Sequence, residues 1–349
     1  MKNKNLVKLL LIMAIAIIPM FAHATSQAGV LFLLIEPGSR ANGMAEAYVA
    51  KADDPYSGWW NPGAMAFNRK NQIGAMHVNW FQDAGIDDLF YEYLGWNNYY
   101  EGIGNLGFHI IYLTYGKMDR TSEDGENLGT FNSYEVAPTF SYATEISPNI
   151  GVGVNFKVVL SDLAPEGTGH TDTRGRGMSF AFDLGMKYKN IFSVNRLDWG
   201  VNLQNIGPDI TYVDDEQSDP LPMNLRTGLS YRPLDDQYNL FTINADMSKI
   251  LANDDFVLAR LGTAWVDDPS DQEIDETIFS VGMEYVYIDM ISLRGGYYYD
   301  KLGSVIGPSF GAGLKYKFNN KYLVFFDFAM KQAGELTSYN KTFSLGLEF

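Results

Sequence analysis

Cysteine is absent from this 349-residue chain, which removes disulfides, thiolate metal sites and attachment of lipid through a cysteine. Histidine is almost absent: His23, His77, His109 and His170 are scattered, with no H-E-x-x-H spacing, and no G-x-S-x-G elbow occurs. A serine set beside His77 or His109 is the one catalytic alternative left. The chain therefore reads as a protein that is not an enzyme, and it carries no motif for a cofactor or a metal. Bases are also scarce, 26 against 42 acids for a net charge of −16. Such a surface repels phosphate backbones, so nucleic acid is excluded as a partner. After residue 24 no stretch approaches the 18 or so consecutive apolar residues of a transmembrane helix.

What is present begins with a leader. Lys2, Lys4 and Lys8 precede an apolar stretch from Leu9 to Phe21, and Ala22-His23-Ala24 supplies a small-x-small cleavage site. These are the three regions of a secretory signal peptide, residues 1–24. Its removal leaves 23 bases against 42 acids, a net charge of −19. The remaining chain holds many aromatics (22 Tyr, 22 Phe) and 34 Gly, yet its mean hydropathy is slightly negative. Aromatic content without contiguous apolarity suits short alternating strands, the weak signal of a membrane β-barrel.

The alternation is clearest near the end. Phe343, Leu345, Leu347 and the terminal Phe349 oppose Ser344, Gly346 and Glu348. Phe310, Ala312, Leu314, Tyr316 and Phe318 oppose Ser309, Gly311, Gly313, Lys315 and Lys317. Period two assigns each set to one face of a sheet. One face is apolar with aromatic ends, as for lipid; the other carries glycine and charge, as for a wet lumen. Fourteen such stretches can be read: 72–81, 88–97, 103–115, 133–145, 149–160, 177–189, 196–206, 223–232, 238–249, 276–287, 290–299, 308–318, 321–331 and 342–349. Connections alternate between short turns (147–149, 233–237, 288–290, 319–320) and long loops (116–132, 161–176, 207–222, 250–275). The fold class predicted is all-β: an antiparallel fourteen-stranded transmembrane barrel over 72–349, in the outer membrane and in contact with its lipid. Residues 254–266 could hold half-strands or a helix and are assigned to loop, because a further strand would break the even count.

Residues 25–71 precede the first strand and are punctuated by Pro and Gly, which argues for turns and short pieces. Trp59 and Trp60 beside an Asn61-Pro62 turn are costly in water, so this stretch is predicted to fold into the lumen as a plug. It runs Pro37-Gly38-Ser39-Arg40-Ala41, then Gly43-Met44-Ala45-Glu46-Ala47-Tyr48-Val49-Ala50, then Asp53-Asp54 and Trp60-Asn61-Pro62-Gly63-Ala64. That series resembles the N-terminal signature of the PorV/PorQ family, relatives of the FadL outer-membrane transporters, roughly "GARAxGMGxAFVAVADD…WNPAGLA". Further blocks agree, at Asn205-Ile206-Gly207-Pro208 with Leu221 to Tyr231, and at Gly282 to Tyr285 with Leu293 to Tyr297. The chain departs where Ala45 replaces a second Gly and where the turn reads Pro62-Gly63-Ala64. The resemblance implies a fourteen-stranded barrel with the N-terminal region inside. For PorV itself it implies type IX secretion, in which the barrel binds signal domains of exported proteins and passes them from translocon to attachment machinery.

Two functional readings follow. In the first, the barrel is a protein-binding component of type IX secretion, with translocon and cargo proteins as partners at its outer loops. In the second, the apolar Val30 to Ile35 run borders a pocket, and the barrel is a FadL-like channel for hydrophobic small molecules. The outer loops are acidic (Asp209, Asp214, Asp215, Glu216 and Asp219; Asp254, Asp255, Asp267, Asp268, Asp271, Glu273 and Asp275; Glu123, Asp124 and Glu126). None follows the spaced calcium-loop pattern, so they read as solvated loops. Luminal charges, Arg226, Glu284, Arg294, Lys315, Lys317 and Asp327, are expected to pair with one another or with the plug.

Overall fold

Side chains that alternate along a strand leave the backbone free to pair on both sides, and a sheet in lipid must close to leave no edge. The computed structural model, which describes residues 28–80, 88–121, 127–164, 175–212, 218–253, 255–267, 269–319, 321–332, 334 and 339–349, shows such a closure. The expected leader and its cleavage site lie outside the described residues. The first seven barrel strands are β1 (Gln72–Asn79), β2 (Phe90–Tyr100), β3 (Gly104–Thr121), β4 (Asn127–Ser147), β5 (Ile150–Ala164), β6 (Gly175–Tyr188) and β7 (Leu197–Ile206). The second seven are β8 (Asn224–Asp235), β9 (Asn239–Ile250), β10 (Ile278–Tyr287), β11 (Ile291–Asp300), β12 (Val305–Phe318), β13 (Tyr322–Gln332) and β14 (Tyr339–Glu348). Each pairs antiparallel with its sequence neighbours, and β14 closes on β1 with Glu348 opposite Gln72 and Phe343 opposite His77. The Phe349 N–H continues that seam, donating to Asn71 O at 2.9 Å.

The faces fall as the alternation requires. Phe343, Leu345 and Phe349 are exposed on the outside, whereas Thr342 and Ser344 are buried toward the lumen. The tight turn after β10 places Ile288 and Asp289 at φ 49° and 53°, the left-handed conformation a hairpin's twist favours.

The structure departs from the expected strand ends at two hairpins. In the stretches 116–132 and 161–176, read as loops, the described ends continue the ladder: Lys117 pairs with Asn132, Met118 with Phe131 and Asp162 with Arg176. Beyond the apolar band both faces are wet, so the hydrophobic alternation fades while backbone pairing continues. A bulge at Thr114/Gly116, with Gly116 at φ 76°, marks the change on β3. In 207–222 a small ribbon pairs Ile210–Thr211 with Ser218–Asp219. In 250–275 two short helices form, Arg260–Thr263 and Ser270–Asp275, so the even strand count stands.

The segment before β1 runs inside the closed sheet as short helical turns, Leu31–Leu34, Ser39–Asn42, Ser57–Trp60 and Pro62–Met65. From Pro37 to Ala66 only Asp53 is exposed. The last turn is capped by Asn61, whose side chain accepts the Gly63 N–H at 2.9 Å with Pro62 as first helical residue.

Candidate functional site

The inner wall is built to receive that segment. A Cβ on Gly282 of β10 would sit 2.2 Å from Met44 O, and one on Gly153 of β5 would sit 2.4 Å from Pro62. These inward glycines mark where chain lies against chain, not empty lumen. Wall amides then satisfy the segment's turns, whose backbone groups a short helix leaves unpaired. Asn155 donates to Gly58 O at 2.8 Å, Asn202 to Trp60 O at 2.9 Å and Gln204 to Trp59 O at 2.9 Å. Asp246 of β9 accepts the N–H groups of Tyr48 and Val49 at 2.7 and 2.8 Å.

Arg40 is the electrostatic centre. Its Nε and Nη2 donate to both Glu284 oxygens at 2.8 and 2.7 Å, and its Nη1 reaches Asp53 at 2.6 Å. Arg294 donates to Glu284 at 2.8 Å and to Asp327 at 2.6 Å. The result is an alternating chain, Asp53–Arg40–Glu284–Arg294–Asp327, in which every buried charge has an opposite neighbour. Asp53 is open to water on one side; partial desolvation of its inner side would raise it, but Arg40 and then Lys51 overturn this and hold it below the usual carboxylate range. Asp54 meets Arg40 only at 3.8 Å. Burial pushes it up to about 6 against the pull of Arg40, and the Tyr48 hydroxyl donates to it at 2.6 Å.

The remaining motif residues divide by role. Trp60 donates from Nε1 to Pro37 O at 2.8 Å and lies edge-on to Trp59, 4.9 Å between centroids, with the Arg226 guanidinium 4.8 Å from its own ring. Asn61 donates to Val49 O and Met186 O at 2.9 and 3.0 Å. Gly38 takes φ 96° against the Tyr56 ring, and Gly43 packs on Gly311. Met44 accepts from Asn244 at its sulfur, 3.4 Å.

The second motif lies elsewhere. Asn205 accepts from Lys157 at 2.6 Å and donates to Pro222 O at 2.9 Å, Gly207 sits against Phe180 O, and Pro208 O accepts from Ser179 at 2.9 Å. These residues shape the exit of β7 and do not meet the Arg40 chain. Phe343, Leu345, Leu347 and Phe349 stay on the outer wall.

Two of the expected luminal charges behave differently. Lys315 pairs with Asp289 at the short-turn rim, 3.2 Å, and Lys317 is exposed there; the short strand end carries them past the segment. The expected pairings of Arg226 (with Glu36, 3.2 Å), Glu284, Arg294 and Asp327 are formed. Sequence reasoning did not single out Asp246, Asn155, Asn202, Gln204 or the Glu46–Lys331 pair. Their signal was available as amides and acids at inward positions of alternating strands.

Among the acidic loops, Asp209 pairs with Arg260 at 2.9 Å and Asp267 accepts from Asn253 at 2.9 Å; Glu123, Asp124, Glu126, Asp214, Asp215, Glu216, Asp254 and Asp268 lie outside the described residues. His77 points outward to Glu92 at 3.2 Å, whereas His109 is buried inside against Tyr93. His170 lies outside the described residues.

A model of the family described as type IX secretion system protein PorV matches residues 22–255. The chain belongs to the PorV family. No curated protein matches the sequence. Among solved structures, the Ralstonia pickettii toluene transporter TbuX is 13% identical with a TM-score of 0.55, covering 91% of this chain and 98% of its own. The monoaromatic hydrocarbon channel CymD is 13% identical with a TM-score of 0.53, covering 92% and 98%. The Pseudomonas putida toluene transporter TodX is 10% identical with a TM-score of 0.51, covering 88% and 96%. At these identities the likeness is one of fold: a closed outer-membrane β-barrel.

Proposed function

We propose that this PorV-family barrel is a non-enzymatic protein-binding component of type IX secretion, exported through a cleaved leader and engaging translocon and cargo proteins at its outer loops. The observation that carries this reading is an apolar surface on the connection between β9 and β10. Phe256 is 73% exposed, and Leu258, Val266 and Ile274 of the same connection are exposed as well. This connection lies at the long-loop end, beyond the strands, and several large apolar side chains exposed on one connection mark a surface for a partner. The loop is held in place, by Arg260 donating to Asp255 O at 2.7 Å and to Asp209, and by Lys249 paired with Glu273 and Glu276. A fixed loop loses little entropy on binding. Its acidic rim selects an apolar partner edged with basic residues.

In this reading the N-terminal segment, residues 25–71, is a plug, and Pro37, Gly38, Arg40, Gly43, Met44, Asp53, Asp54, Trp60, Asn61 and Pro62 are the residues that hold it. Asn205, Gly207 and Pro208 set the adjoining outer loop.

The test is a Phe256→Ser, Leu258→Ser, Val266→Ser triple variant purified from native outer membrane. The barrel should reach wild-type level with its co-purifying proteins lost. Equal retention of those proteins, together with unchanged surface display of cargo when the protein is deleted, would sink the reading. A second reading, passage of hydrophobic small molecules, is favoured by the apolar side chains of Leu31, Leu34 and Ile35 near the long-loop end. It requires displacement of a segment buried from Pro37 to Ala66, and it predicts ligand flux into proteoliposomes.

A further inference from the structure

Apart from the Arg40 chain, three buried polar side chains meet on the inner wall near the exit of β7. The β6–β7 ladder shifts register between Phe182 and Leu184, so Asp183 stands opposite two residues of β7, Gln204 and Asn205. Such a bulge re-aims a side chain. Both residues are buried, whereas strict alternation would turn Asn205 outward to lipid. Asn205 takes φ 60°, a left-handed conformation that asparagine tolerates. Its carboxamide meets Lys157 of β5, two strands away, whose Nζ donates to Asn205 Oδ1 at 2.6 Å and pairs with Asp183 Oδ1 at 3.0 Å. Asp183 accepts in turn from Asn155 Nδ2 at 2.7 Å and from the Asn205 N–H at 2.8 Å. The Asn205 amide nitrogen donates to Pro222 O at 2.9 Å. Lys157, Asp183 and Asn205 are each no more than 1% exposed. A buried ammonium needs acceptors, and as an ion pair alone this cluster supplies them. Its order is also that of a nucleophile, a proton carrier and an electrophile held in contact: an amine, a carboxylate on that amine, and a carboxamide carbonyl. With water kept out, nothing competes with the amine for that carbonyl.

We propose that Lys157 and Asn205 join through an isopeptide bond, with Asp183 as the acid–base group. Asp183 takes a proton from the Lys157 ammonium, and the freed Nζ lone pair attacks Cγ of Asn205. The tetrahedral adduct collapses as the Cγ–Nδ2 bond breaks. Nζ loses two protons and Nδ2 gains two, each carried by Asp183, so the nitrogen leaves as ammonium and Asp183 ends ionised. One C–N bond forms for one broken, and nothing is oxidised or reduced. The bond ties β5 to β7 across β6, between residues 48 apart in the chain. It does not depend on the secretion reading, because no partner takes part.

The test is intact-mass and peptide-mapping mass spectrometry of the full mature barrel purified from outer membrane. The wild-type chain should be lighter by one ammonia than the sequence from its measured N-terminus requires. Its digest should hold one branched peptide joining the Lys157 and Asn205 stretches. Lys157→Met and Asn205→Ala should restore the full mass and lose that peptide. Asp183→Ala should do the same, with heat-modifiable migration in gels reporting that each variant is folded. A wild-type chain of full mass overturns the proposal, as does ammonia loss confined to a succinimide within one linear peptide. A branched peptide that persists in Asp183→Ala overturns the role given to that carboxylate. None of these readouts involves co-purifying proteins, so the triple loop variant judges the secretion reading separately.

Discussion

Replacing Glu284 by Met tests whether the buried charge chain fastens the N-terminal segment to the wall. Glu284 is 1% exposed and stands between Arg40, on the segment, and Arg294, on β11. Its removal leaves two guanidiniums facing each other with one acid fewer. Breaking a buried pair by deleting one partner costs roughly 3–5 kcal/mol. Here Arg40 keeps Asp53 and Arg294 keeps Asp327, both at 2.6 Å, so the lower end, about 3 kcal/mol, is the better figure. At 1.4 kcal/mol per decade, that raises the undocked population of the segment about a hundredfold. Protease cleavage in the segment should accelerate correspondingly if docking is fast relative to cutting, while the barrel keeps its heat-modifiable gel mobility. Adding Arg40→Met should recover part of the loss, because the unpaired segment charge goes too. A double-mutant cycle then gives a coupling of about 2 kcal/mol. Cleavage within threefold of wild type for Glu284→Met, or a coupling near zero, would refute the reasoning.

Other perturbations should have unequal effects at neighbouring positions. Gly282→Ala drives a methyl into Met44 O and should destabilise segment docking by about 2 kcal/mol, the scale of overpacking, whereas Gly295→Ala, whose Cβ meets nothing nearer than Ser309 O at 3.9 Å, should leave thermal unfolding in detergent unchanged. Similar losses at both would mean the segment does not press on the wall. Trp60→Ala deletes a fully buried ring and should cost roughly 3–5 kcal/mol in urea unfolding; a cost under 1 kcal/mol counts against the packing described. In the turn between β8 and β9, the N–H groups of Tyr238 and Asn239 donate to Asp236 and lower its pKa. The turn should therefore be tightest above the ordinary aspartate range and loosen as pH falls through the lowered midpoint. An NMR titration of the Asp236 carboxyl at or above the usual value would contradict this.

How much was legible depends on the period of the signal. Fourteen strands, their order and the outward placement of Phe343, Leu345 and Phe349 were readable because side-chain alternation and lipid contact leave a period of two in the chain itself. The strand ends of β3 to β6 were not, since outside the lipid both faces meet water and the pattern that reports pairing disappears. The Trp59-Trp60-Asn61-Pro62 stretch announced burial, but not against what.

Sequence by itself determined that the chain closes as a barrel and that its segment before β1 is too apolar and too punctuated to lie free in water. Only the tertiary structure decided that Arg40 meets Glu284, 244 residues away, and that Met44 rests on Gly282. Local pattern is written by neighbours along the chain, whereas these contacts depend on which inward positions of fourteen strands the segment comes to face. That is fixed by barrel closure and register, and no single stretch of residues encodes it.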